Sequence, residues 1–135
     1  MMTLFDAPDR ESSCVMRSRS NTALQSLGLL NETQRVEMSR KLAERLIRST
    51  DSDERRLDLL YGLVSSRKAS AKEKAACLNL VKNMRERYKD SEQDATELVS
   101  AGDAPRDQKI DVVELAAWTQ LTTIVLASDA AILIY

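Results

Sequence analysis

Three arginines close to the start of the chain, Arg10, Arg17 and Arg19, are the side chains best suited to hold a ligand. A guanidinium offers a planar fork that matches phosphate and carboxylate groups, so the three form a candidate anion-binding cluster. The competing expectation is that they pair with the acidic last third of the chain and fix an arm. A second basic set, Lys82, Arg85 and Lys89, recurs at helical spacing. Glu86 and Asp90 interleave with it, so a solvated helix face is expected rather than a nucleic-acid surface, which needs a broader basic area.

The acidic clusters are weaker. Asp51, Asp53 and Glu54 look like the start of a calcium loop but lack its glycine and closing glutamate, so helix capping is expected. Asp103, Asp107 and Asp111 recur every four residues around Pro105. A polar loop is expected there rather than a cation site. The sequence contains no His, which removes His-based nucleophile activation, His-ligated zinc and haem held by the chain's own imidazole. Cys14 and Cys77 form no CxxC pair and read as small buried apolar residues. No nucleophile stands beside a recognisable base. The expectation is therefore a protein without catalytic activity, metal or cofactor.

The elements that must carry these residues are helical. Only 3 Gly and 2 Pro occur in 135 residues, with 43% hydrophobic and 30% charged residues, a composition that suits one mostly α domain. The expected fold is all-α, a single bundle of five to six helices over residues 20–135 behind an extended arm at 1–19, with Phe5 as its anchor. Asn21 or Ser20 caps a first helix with Leu24, Leu27 and Leu30 on one side. Asn31 caps a second, Glu32 to Arg48, with Val36, Ala43, Leu46 and Ile47 inward and the pairs Glu37–Lys41 and Glu44–Arg48 outside. Asp51 or Asp53 caps a third helix to about Val64, with Leu57, Leu60, Tyr61 and Val64 inward. Ser70 caps a fourth to about Tyr88, with Ala71, Ala75, Leu78, Val81, Met84 and Tyr88 inward. A short fifth runs from Asp94 to Ser100.

The last stretch, IDVVELAAWTQLTTIVLASDAAILIY from Ile110, organises the rest. It holds the only Trp and the densest apolar run, spaced by threes and fours. Gln120, the threonines, Ser128 and Asp129 interrupt it, so a buried helix is expected and not a membrane span. Trp118 is expected against Ala43, Leu46, Leu78 and Val81. The core is then Leu24, Leu27, Leu46, Leu60, Leu78, Val81, Trp118, Leu121 and Val125. Charge is unevenly spread. Residues 1–90 carry 18 Lys and Arg against 13 Asp and Glu, and residues 91–135 carry 2 against 8. The two parts are expected to attract each other. The apolar end from Ala130 to Tyr135 is expected to bring two copies together as a homodimer.

The run FDAPDRESSCVMRSRSNTALQSLGLLNETQRVEMSRKLAERL resembles the planctomycete domain-of-unknown-function family 1553, whose members read approximately FDAP-x-RE, a Cys, an Arg-rich step, then RTNTPLQAL-x-LLN and a helix ending LAERL. Phe5, Asp6, Ala7, Pro8, Arg10, Glu11, Arg17, Arg19, Asn21, Thr22, Leu24, Gln25, Leu27, Leu30 and Asn31 stand at those positions. Ala23 replaces the usual Pro, and Cys14 lies one step past the usual Cys, where Ser13 stands. The stretch from Ile110 is similar to the family's closing pattern DPAELAAWT. The resemblance implies the C-terminal helical part of longer, exported proteins that often carry a planctomycete-type cytochrome c domain upstream, with no established activity. The expected function is a packing or protein-interaction module, a detached tail of such a protein. Nucleic acid is the less favoured partner. The N-terminus MMTLFDAPDR has no signal-peptide apolar region, so the chain taken alone is expected in the cytoplasm.

Overall fold

The computed structural model describes residues 22–128 and residue 131. Among them are six helices and no strand: α1 (Ala23–Asn31), α2 (Thr33–Ser49), α3 (Asp53–Ser65), α4 (Ala71–Asp90), α5 (Glu92–Val99) and α6 (Val112–Leu126). None is long and apolar enough to cross a membrane. The expected arm at 1–19, including Phe5, lies outside the described residues, as do Cys14 and most of the expected dimerising end.

Local chemistry sets the helix ends. Thr22, and neither Ser20 nor Asn21, caps α1. Its hydroxyl accepts from the Gln25 N–H at 3.3 Å while Gln25 Oε1 accepts from the Thr22 N–H at 3.1 Å, a reciprocal capping box. Ser70 and Glu73 repeat the device at α4. Asp111 caps α6 through the Glu114 N–H at 3.0 Å. Asn31 is the last residue of α1 rather than the cap of α2, which begins after Glu32 without a side-chain cap. Likewise Ser52 precedes α3, and Asp53 is already helical, which releases its carboxylate for another task.

Helix α6 lies at the centre and packs against α2, α4 and α5. Nine of its fifteen residues are buried, so nearly every side faces a neighbour. Where α6 meets α2 the contact is made by small residues. The Thr122 hydroxyl, itself fully buried, donates to the Ser39 carbonyl at 2.9 Å, and Ser39, Ala43 and Thr119 are buried with it. Arg35 of α2 donates to the Leu126 carbonyl at 3.0 Å and satisfies the C-terminal end of α6.

Trp118, Ala43, Leu46, Leu60, Val81, Leu121 and Val125 belong to one buried cluster. Leu78 is only partly buried at its edge. Leu24 and Leu27 are not core residues; they stand 63% and 54% exposed on α1. That helix packs against α2 and buries Gln25 instead. The Leu30 side chain lies outside the described residues. On α4 the inward face is Cys77, Val81 and Tyr88, while Ala71 and Ala75 are exposed. From Leu78 on the expected face is the one that packs, with Leu78 and Met84 partly buried against the core; the first turns differ, where Cys77 and not the alanines is covered.

A fully buried Trp replaced by Ala typically costs about 3–5 kcal/mol, against about 5–15 kcal/mol of total stability. Trp118→Ala should therefore leave a marginal or molten chain in urea denaturation. A loss below ~1 kcal/mol, the size of an ordinary substitution, would mean that α6 is not the centre of the core. Gly102 has φ +91°, and a Cβ there would run into the Glu37 side chain. Gly102→Ala should cost about 1–3 kcal/mol by the same measurement.

Candidate functional site

Four charged residues from three helices meet beside Trp118. Arg85 of α4 places its guanidinium between two carboxylates. Its Nη1 and Nη2 donate to Asp53 at 2.7 and 2.9 Å, and its Nε and Nη2 donate to Glu114 at 2.7 Å each. Arg56 of α3 donates from Nη1 to Glu114 Oε1 at 2.8 Å and to Asp53 Oδ1 at 3.2 Å, and from Nε to the Thr50 carbonyl at 2.7 Å. The indole N–H of Trp118 donates to the same Glu114 oxygen at 3.1 Å. The Arg56 guanidinium lies 5.5 Å from the Trp118 ring centre, within cation–π range. The cluster therefore ties α3, α4 and α6 together around the core's largest side chain.

The electrostatics of this cluster are those of a closed ion network. Hydrogen bonds from Arg85 hold the Asp53 carboxyl below its ordinary range, helped by the charges of Arg85 and Arg56. Burial pushes the Glu114 carboxyl up, but the hydrogen bond and charge of Arg85 and the charge of Arg56 outweigh it, and the net direction is down. Both carboxylates stay ionised with their lone pairs engaged. Such groups fix geometry and are poor proton donors at neutral pH.

A second charged assembly holds the α5–α6 connection against α2. Arg40, 1% exposed, donates to Glu44 at 3.2 Å and to the Ala104 carbonyl at 2.6 Å. Glu37 accepts from the Asp103 and Ala104 N–H groups at 2.8 and 3.2 Å. Glu44 accepts from the Asp107 N–H at 3.1 Å, and Lys41 donates to the Pro105 carbonyl at 2.6 Å. Arg48 pairs with Asp107. These contacts replace the outward pairs expected for Glu37 with Lys41 and for Glu44 with Arg48. Glu44 is buried and meets Arg40 and Lys41 instead.

The sequence-derived sites fall out as follows. Arg10, Arg17 and Arg19 lie outside the described residues. Arg85 does not belong to a solvated stripe; it is the centre of the first network, while Lys82 and Lys89 are exposed. The three aspartates around Pro105 have separate tasks. Asp103 offers its backbone N–H to Glu37, Asp107 meets Arg48 and the Lys109 N–H, and Asp111 caps α6. Among the described residues no group of three or more His, Cys, Asp or Glu is placed to hold a metal. Sequence reasoning missed Arg40, Glu44, Arg56 and Glu114 as network members. Their signal was their position: Arg40 is four after Val36, Arg56 four before Leu60, and Glu114 four before Trp118.

Both carboxyls are lowered by folding, so their stabilisation is present above the ordinary carboxylate range near pH ~4 and is lost as pH falls through their folded values. Arg85→Met leaves two carboxylates facing one Arg. Because the site is about a quarter exposed, solvent screens the effect and the expected loss is about 1–3 kcal/mol at neutral pH. Urea denaturation of both proteins at pH 7 and pH 3 checks this. The gap should narrow at the lower pH, and a gap unchanged between them would contradict the network.

Residues 1–81, from the N-terminal motif into the middle of α4, match the family model described as Protein of unknown function (DUF1553). No curated protein and no solved structure matches the chain. The family match spans more than half of the 135 residues and includes α1, α2 and α3 entire. The chain belongs to the DUF1553 family of proteins of unknown function.

Proposed function

We propose that the chain is a non-enzymatic helical packing module that offers a protein-interaction surface on α1 and the adjoining part of α2. The observation that carries this reading is the placement of large apolar side chains in water within the family-matched segment. Leu24 is 63%, Leu27 54% and Met38 45% exposed. Leu24 and Leu27 stand one helical turn apart on α1, and exposed apolar neighbours of this kind mark interaction sites. The use of charge supports the same reading, because the networks at Arg85 and Arg40 spend their ionisable groups on tying helices together.

The partner that fits is an apolar surface on another protein chain. The resemblance to longer family members, in which such a helical part follows other domains, makes their preceding portion the occupant of choice. Calorimetric titration of this chain with the preceding portion of a longer family member tests it. Binding at a Kd of ~10 μM or tighter is expected. Leu24→Ser with Leu27→Ser should weaken it roughly tenfold or more, as loss of an anchor does. The same double substitution should alter stability by less than ~1 kcal/mol, as surface changes do. Absence of binding at ~100 μM rejects the reading.

A further inference from the structure

We draw no further inference here: the strongest candidate, the open pocket between α2 and the α5–α6 connection lined by Gln34, Glu37, Met38, Lys41 and Asp103, carries nothing, because Glu37 is engaged by the Asp103 and Ala104 N–H groups and nothing in the structure shows what covers the rest.

Discussion

Helix α6 has almost no face that can be left in water, and the rest of the fold exists to cover it. Trp118 and Leu115 are fully buried, as are Thr119 and Thr122. A helix apolar on all sides is stable only when several neighbours surround it. Helices α2, α4 and α5 do so, and each contributes in its own way. The small residues Ser39 and Ala43 let α2 approach closely enough for the Thr122 hydroxyl to reach a backbone carbonyl. From α4 comes Val81 for the core and Arg85 for the ion network. Ala95 and Val99 of α5 are fully buried.

Charge is used here to set positions. The excess of basic residues before residue 91 and of acidic residues after it is realised as contacts between segments distant in sequence: Arg85 and Arg56 meet Glu114 of α6, and Arg48 of α2 meets Asp107 of the α5–α6 connection. Half-buried pairs of this kind add modest net stability, because desolvation offsets much of the attraction. Their geometric effect is larger. Glu114 can satisfy Arg56, Arg85 and the Trp118 indole together only when α3, α4 and α6 stand in one arrangement. Arg40 does the same for the α5–α6 connection, holding the Ala104 carbonyl from inside the protein.

The helices, their number and the central place of the last one were legible because hydrophobic period and capping residues act locally. Ser70 with Glu73 and Asp111 before α6 are visible in the sequence itself. How far the covered stripe of a helix extends was less legible. On α4, Leu78, Val81, Met84 and Tyr88 face the core as their spacing predicts, but Ala71 and Ala75 stay exposed while Cys77 is buried, and only the neighbouring helices decide that. The networks were missed for a related reason. Arg40, Arg56, Arg85 and Glu114 sit on apolar stripes at helical spacing, and such a charge is buried only if a partner comes from a segment 29 to 64 residues away. Spacing within one helix carries no information about that partner. Leu24 and Leu27 show the converse, an apolar stripe with the right period that stays 63% and 54% exposed.

Native-state hydrogen exchange across α6 tests most directly whether this helix is what the fold is built on. Amides released only by complete unfolding exchange with the global free energy, while peripheral elements open locally at lower cost. The amides of Leu115 to Thr122 should share the highest protection in the chain and respond to denaturant with the full slope of global unfolding. Those of α1 should exchange through small local openings. Protection of Leu115 to Thr122 well below the global value, with little denaturant dependence, would show that α6 comes free while the other helices remain folded, and would contradict its central role.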